Sequence, residues 1–370
     1  MRFDELRIAV AHEWVAARAG SEKTFEALAA AFPTADLYAL SMEPGVALDT
    51  GGRTVETSFL DRPFWRGHRA LSLPLMPAAW RVTRGGPYDV VVSSSHAAVK
   101  GFAPGRDALH LCYCHTPMRY AWLPELEQRP LMWAAGPARA ALRRWDRQSA
   151  DWVDEFAANS TVVAERIADF YGRDSRVLAP PVDVDWFAAG ELVPAADRRG
   201  LVALSRWIGY KKLDLAIEAA EAAGLPITVA GSGPDADLLR RRAAAATTEV
   251  VIEESPSDER VRELFASAQA VVFPAWEDFG LVPVEAQAAG APVVAFAKGG
   301  ARDSVVDGVT GALVPDQTVA AFAAAIRDVV AQGIDPAVCR ANALAFGRDR
   351  FIDEVRAWVR GAAEDAGLLA

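Results

Sequence analysis

Short apolar runs of strand length alternate along the chain with longer stretches of helical period, and they do so in two series. Runs that are apolar throughout, with no polar residue at every second position, predict strands buried on both faces, as in parallel sheets covered by helices. The first series is RIAVA (7–11), DLYAL (36–40), YDVVVSS (88–94), ALHLCYC (108–114), DEFAANS (154–160) and RVLAPP (176–181). The second is LVALS (201–205), PITVAG (226–231), EVVIEE (249–254), AVVFPA (270–275), PVVAFA (292–297) and GALVP (311–315). This repetition predicts an α/β fold of two doubly wound, Rossmann-like parallel-sheet domains, spanning 1–182 and 200–345, that face each other across a cleft. Residues 183–199 are small and charged, without period, and read as an interdomain linker. The end of the chain, 346–370, carries Phe351, Ile352, Val355 and Val359 at helical spacing and is expected to pack back on the first domain. Ligands of such sheets bind beyond the carboxyl ends of the strands, so chemistry is sought just after each run.

A length of 370 residues exceeds what one hydrophobic core usually serves, and 52% hydrophobic with 24% charged residues fits a globular enzyme. No apolar run is long enough to span a bilayer, and MRFDELRIAV lacks the basic and then apolar pattern of an export signal, so a cytoplasmic protein is expected. Cys112, Cys114 and Cys339 form no disulfide framework. The net charge of -10 argues against nucleic acid as a partner, yet it is unevenly spread, with 18 basic and 15 acidic residues in 1–150 against 21 and 34 in the remainder. Within 50–85, Arg53, Arg62, Arg66, Arg69, Arg81 and Arg84 interleave with Phe59, Phe64, Trp65, Leu71, Leu73, Leu75, Met76 and Trp80. That mixture suits a surface meeting anionic lipid headgroups; a solvated charged face beside an ordinary core has the same composition.

Four stretches offer candidate chemistry. In FPAWEDFGLVPVEAQAAGAPVVAF (273–296), Glu277 follows a strand and Glu285 lies eight residues on, in a helix opened by Gly280 and Pro283. One carboxylate then stands at the helix mouth, where sugar hydroxyls can be held, and the helix N-terminus offers backbone N–H groups to a phosphate. Arg206 and Lys211 follow LVALS across a turn, where two cations can converge on a diphosphate, with Lys212 as the spare candidate. His115 ends a strand beside Thr116 and Pro117; with Cys112 and Cys114 it suggests zinc, but the cysteines share the opposite strand face and no second ligand pair exists, so no metal is expected. GSGPDA (231–236), with Glu253 downstream, matches a dinucleotide fingerprint, though on the second strand of its domain rather than the first.

Beyond these residue-level readings, EDFGLVPVEAQAAG resembles the E-x7-E signature of the family-4 retaining glycosyltransferases of GT-B architecture. The resemblance extends to HEWVAARAGSEK (12–23), SSSHAAVKG (93–101), CYCHTPMRYAW (112–122), PPVDVDWF (180–187), SRWIGYKKLDLAIEA (205–219) and KGGARDSVVDGVTGALV (298–314). It covers nearly the whole chain, and HEW with CHTPMRYAW is most similar to bacterial mannosyltransferases of O-antigen and exopolysaccharide synthesis. The resemblance implies a metal-independent enzyme without a cofactor that moves mannose from GDP-mannose to a lipid-linked, polyprenyl diphosphate saccharide, peripherally at the inner face of the cell membrane. It implies that Arg206 and Lys211 neutralise the leaving nucleoside diphosphate and that His115 lies beside the donor sugar. Glu277 would hold sugar hydroxyls together with Asp278, Phe279, Gly280 and Leu281, Glu285 would hold the ribose, Gly20 would approach a phosphate, and Gly231 and Gly233 would support the nucleoside. Ala19 stands where the family usually has a first glycine, and EESPSDE (253–259) departs from its glycine-containing base-binding turn. A UDP-sugar donor for glucosyl or N-acetylglucosaminyl transfer, a non-catalytic scaffold of the same fold and an NAD-dependent enzyme are the alternatives.

Overall fold

The apolar runs supply strands of two all-parallel sheets; the central ones are buried on both faces, while RVLAPP contributes only two residues to a mostly exposed edge strand and EVVIEE forms a part-exposed one. The computed structural model describes residues 1–123 and 136–369. The chain divides into one unit of Met1–Pro181 with Asp349–Ala370 and a second of Val182–Arg348. In the first, β1 (Ile8–Val15), β2 (Asp36–Met42), β3 (Val55–Thr57), β4 (Val90–Ser95), β5 (Leu109–Cys114), β6 (Glu155–Ala158) and β7 (Ser175–Val177) lie in the order β3-β2-β1-β4-β5-β6-β7. In the second, β8 (Leu201–Arg206), β9 (Ile227–Ser232), β10 (Val250–Glu254), β11 (Ala270–Phe273), β12 (Val293–Phe296) and β13 (Gly311–Val314) lie in the order β10-β9-β8-β11-β12-β13. The two-domain Rossmann-like fold expected from the pattern is the fold observed.

Side-chain alternation sends the central strands of the first unit into two cores. Val10, Val92, Leu111 and Tyr113 meet Phe25 and Leu28 on one face, while Ala9, Ala11 and Val91 meet Met76, Trp80 and Phe102 on the other. The helix Arg348–Asp365 inserts Phe351, Val355, Trp358 and Val359 into the former core, and Trp358 Nε1 donates to Glu155 Oε2 at 2.8 Å. One strand had no signal in the pattern: β3 is a three-residue edge strand, paired only to β2 and largely exposed, so it needs no apolar run.

The core of the second unit joins Leu201, Ala203, Val229, Val272 and Val294 to Ile217, Phe322 and Ile326 from the flanking helices. Residues 183–199, expected to be a linker, are instead folded into this unit. They form the helix Val184–Ala188, Phe187 packs on Phe265 at 5.9 Å, and Arg198, 1% exposed, donates to the carbonyls of Val193, Ala268 and Ala289 at 3.0, 3.2 and 3.3 Å. A segment anchored by one buried guanidinium and isolated apolar residues shows no hydrophobic period, which is why composition alone suggested a tether.

In each sheet the winding reverses once, between β1 and β4 and between β8 and β11. Connections leave these neighbouring strands toward opposite sides, so a crevice opens beyond their carboxyl ends. Among the described residues no helix is long and apolar enough to cross a membrane.

Candidate functional site

At the reversal in the second unit, β8 ends on Arg206 and is followed by the turn Gly209–Lys211 and the helix Leu213–Ala223. Lys212 between them takes a left-handed φ of 55°, one of two such non-glycine residues among those described. Conformations of that kind are costly and concentrate in functional loops. The turn exposes Lys212 and buries Lys211, whose Nζ forms a close ion pair with Glu277 Oε1. Lys211 rather than Lys212 is therefore the lysine brought to the acidic loop. Arg206 is exposed, and its side chain makes no ion pair or hydrogen bond with any described residue.

Glu277 follows β11, and the helix Leu281–Ala288 begins four residues later. Its N-cap is Gly280 at φ 86°, which has no side chain with which to cap the first turn, and Glu285 is its fifth residue. Asp278 and Phe279 are 7% and 4% exposed, and the Phe279 ring lies 6.0 Å from that of Phe346, so what this pair can offer a ligand is chiefly backbone; Leu281 is half-buried. The loop is backed by the turn that opens KGGARDSVVDGVTGALV. Gly300 N donates to Glu277 O at 2.9 Å, and a Cβ on Gly300 would lie 2.1 Å from Asp278 O. Gln287, fully buried, donates to Pro283 O and Ser304 O, both at 3.0 Å, and accepts from Asn342 Nδ2 at 2.7 Å. A lone glutamine inside AQAAG was the available signal for that brace.

Gly231 and Gly233 have φ of 131° and 155°, and a Cβ there would lie 1.9 Å from Ser205 O and 2.5 Å from Trp207 O. Close passage of β9 over the end of β8 thus demands both glycines whether or not a nucleotide binds. Glu253, the acid that a dinucleotide fingerprint would offer to a ribose, receives Arg260 in a two-pronged pair at 2.6 and 3.0 Å, which lowers its pKa.

The first unit builds its end differently. His12 of β1 and Ser94 of β4 are fully buried, His115 follows β5, and Ser94 Oγ stands 3.0 Å from His12 Nδ1 and 2.8 Å from His115 Nε2. His96 completes the group, its ring 6.0 Å from His12 and 6.2 Å from His115. Glu13 Oε1 accepts from Ala97 N and Val99 N at 2.9 and 2.8 Å, which ties β1 to the loop after β4; burial raises its pKa. Lys100 and Asp146 pair at 2.9 Å with both side chains fully buried, and Asp146 also accepts from Trp122 Nε1 and Tyr171 OH at 2.8 and 2.7 Å. Burial alone would lower the Lys100 pKa, and the Asp146 carboxylate reverses this and raises it. His12, Ser94, Lys100 and Asp146 were not singled out from sequence, although HEW and SSSH contain the first two.

Cys112 and Cys114 are buried with Phe156, Val163 and Ile167, while the His115 ring stands 5.1 Å from Tyr113 on the other strand face. Burial pushes the Cys112 thiol up to about 11, which makes it a poor thiolate ligand. Gly20 opens the helix Gly20–Ala31 behind an Ala19 N-cap that supplies no side-chain bond. In 50–85 the structure divides the arginines. Arg53 donates to the carbonyls of Ala29, Phe32 and Ala35, Arg66 pairs with Asp61 at 2.7 Å, and Arg69 pairs with Glu43. Arg62, Arg81 and Arg84 stay exposed, as do Phe59, Phe64 and Leu71, whereas Leu73, Met76 and Trp80 are core.

Comparison with known proteins agrees with this construction in both halves. Residues 19–186 match the family model described as Glycosyltransferase Family 4, and residues 187–346 match that described as Glycosyl transferases group 1. A D-inositol 3-phosphate glycosyltransferase of Geodermatophilus obscurus is 34% identical over 244 residues, covering 58% of this chain and 54% of the relative. A protein of the same name from Mycobacterium bovis is 32% identical over 200 residues, 49% of this chain and 42% of the relative. The chain thus spans about half the length of the curated relatives it matches. Among solved structures, Anabaena HepE in complex with UDP superposes with a TM-score of 0.69 at 18% identity, over 96% of this chain and 100% of that one. The lipopolysaccharide outer core galactosyltransferase WaaB superposes with a TM-score of 0.69 at 14% identity, over 96% and 99%. With both halves matched in order and the fold shared, the chain belongs to the GT-B glycosyltransferases that join a family-4 amino-terminal domain to a group-1 carboxy-terminal domain.

Proposed function

We propose that the protein transfers a hexose, with retention of configuration, from a nucleoside diphosphate sugar to an acceptor hydroxyl. The observation that carries this reading is the buried Lys211 held against Glu277 where the second sheet reverses, with Arg206 unpaired at the end of β8. Cleavage of a glycosyl phosphate bond leaves negative charge on the diphosphate, and fixed cations at that point stabilise it without solvent reorganisation. Arg206 and Lys211 take that part with the first turn of the helix Leu281–Ala288, so the protein's own charges suffice and no metal is required. Glu277 holds hydroxyls of the sugar and Glu285 the ribose, and the resemblance adds His115 as a sugar-site residue. The leaving phosphate accepts the acceptor proton, and the enzyme's task is positioning and charge stabilisation.

The donor favoured by HEW and CHTPMRYAW is GDP-mannose. A UDP sugar is the second reading, supported by similar structures in complex with UDP and with UDP and glucose. The acceptor in this proposal is a polyprenyl diphosphate saccharide. Supporting it, the first unit exposes Phe59, Phe64 and Leu71 at 46%, 55% and 53% and also exposes Arg62, Arg81 and Arg84, a mixture that suits a peripheral contact with anionic lipid at the inner membrane face.

The test is nucleoside diphosphate release from GDP-mannose, UDP-glucose and UDP-N-acetylglucosamine with EDTA present, with and without anionic vesicles carrying a polyprenyl diphosphate saccharide. Release from GDP-mannose, stimulated by those vesicles and abolished in Arg206→Ala, is the expected result. Turnover of a UDP sugar alone would replace the donor, and no release from any of the three would overturn the transfer reading.

A further inference from the structure

Beyond β1 and β4, one hydroxyl joins two imidazoles. Ser94 Oγ lies 3.0 Å from His12 Nδ1 and 2.8 Å from His115 Nε2. A serine hydroxyl has a single proton, so it donates to one ring and must accept from the other. The tautomers of the two histidines are therefore coupled. A proton on His12 Nδ1 directs the hydroxyl proton to His115 Nε2 and leaves His115 protonated on Nδ1; the opposite order protonates His115 on Nε2.

One observation selects the first order. His12 Nε2, in a ring stacked on Phe25 at 5.1 Å, has no hydrogen-bond partner among the described residues. Buried N–H groups left without an acceptor are rarer than under-used acceptors, so the His12 proton belongs on Nδ1. The adjacent serine of β4 shows the same device with its sense fixed. His110 Nδ1 meets Trp152 O at 3.2 Å, a carbonyl that can only accept, so His110 Nε2 receives the Ser93 hydroxyl proton at 2.9 Å. Burial pushes His12 down to about 3, which leaves its ring neutral, with one N–H to place, at neutral pH.

We propose that His12 and Ser94 are positioning residues that hold His115 in its Nδ1–H tautomer. The inference rests on the reading of His115 as a sugar-site residue. No proton is transferred: His12 Nδ1–H donates to Ser94, and Ser94 O–H donates to His115 Nε2. Partners of this kind fix ring orientation and tautomer, and losing them typically costs about tenfold or more in activity.

The test uses the full chain labelled with 15N-histidine, the His115 signals being assigned by their loss in His115→Asn. At neutral pH the long-range proton–nitrogen spectrum is expected to show His115 protonated on Nδ1. In Ser94→Ala that pattern should give way to the Nε2–H form or a mixture, and kcat should fall about tenfold. Ser94→Thr, which keeps the hydroxyl, and His12→Asn, whose amide can donate near the position of Nδ1, should restore both; His12→Phe should not. A wild-type His115 protonated on Nε2, or an unchanged tautomer in Ser94→Ala, overturns the coupling. Full activity in His115→Ala would instead overturn the sugar-site reading, while the spectrum would still decide the coupling.

Discussion

Beyond β8 and β11 the second unit presents charge near its surface, with Arg206 exposed and Lys211 held against Glu277. Beyond β1 and β4 the first unit presents imidazoles and hydroxyls, and its charges, Glu13, Lys100 and Asp146, are at most 1% exposed. The two sheets share one strand order up to the extra edge strand β7, so topology cannot be the source of this difference. Winding fixes where a crevice opens, and the loops that follow the strands fix what the crevice recognises. An accessible cation such as Arg206 suits an anionic diphosphate. Sunken ion pairs serve instead to hold loops, and leave hydrogen bonding to groups that do not compete for charge.

Four experiments would break or sharpen this contrast. The largest effect is expected for Lys100→Met, which strips Asp146 of its cation inside a fully buried pair and should cost about 3–5 kcal/mol in urea unfolding. A loss below about 1 kcal/mol would show that the Trp122 and Tyr171 donors satisfy Asp146 unaided. Next, Arg206→Ala should reduce nucleoside diphosphate release by about 10²–10³-fold and leave stability within about 0.5 kcal/mol, since no described residue depends on it. Loss of stability comparable to the loss of rate would place Arg206 in the scaffold and erase the contrast.

The third concerns pH. All five histidines lie in the first unit, and burial pushes His12 and His110 down to about 3 and about 4. Above the unfolded value of about 6.5 they contribute no pH dependence; below it the unfolded chain binds protons that the folded state refuses. Stability should then fall by about 1.4 kcal/mol per pH unit for each histidine, until the folded values are reached. Unfolding curves from neutral pH down to about pH 4.5 should be shallower in His110→Gln than in the wild type by one histidine's share. Identical slopes would mean that His110 is protonated in the fold. The smallest effects should be equal in the two units: Ser160→Ala and Ser257→Ala each remove an N-cap that accepts from the third helical N–H at 3.2 Å, and each should cost about 1 kcal/mol. A marked inequality would mean that the shared scaffold is not equally robust.

Legibility in the sequence followed the same division. VVVSS and AVVF could be read as strands because a strand covered on both faces must be apolar throughout, whereas Val55–Thr57 could not, since an edge strand is excused from that rule. The Glu277–Glu285 spacing was visible because loop and helix are contiguous. Choosing Lys211 over Lys212 required the turn, and the buried positions of Asp278 and Phe279 required their packing. Arg53, one of six arginines that suggested a lipid-facing surface, proved to serve the carbonyls of Ala29, Phe32 and Ala35.

By itself the sequence determined the two parallel sheets, their order in the chain and the Glu277–Glu285 stretch, because periodicity and short spacing are properties of neighbouring residues. Only the tertiary structure decided that residues 183–199 fold onto Arg198, that Lys100 meets Asp146, and that Ser94 stands between His12 and His115, 82 residues and 21 residues away along the chain. Contacts of that separation arise where strands distant in the chain become neighbours in a sheet, and no local pattern records which side chains will then face one another.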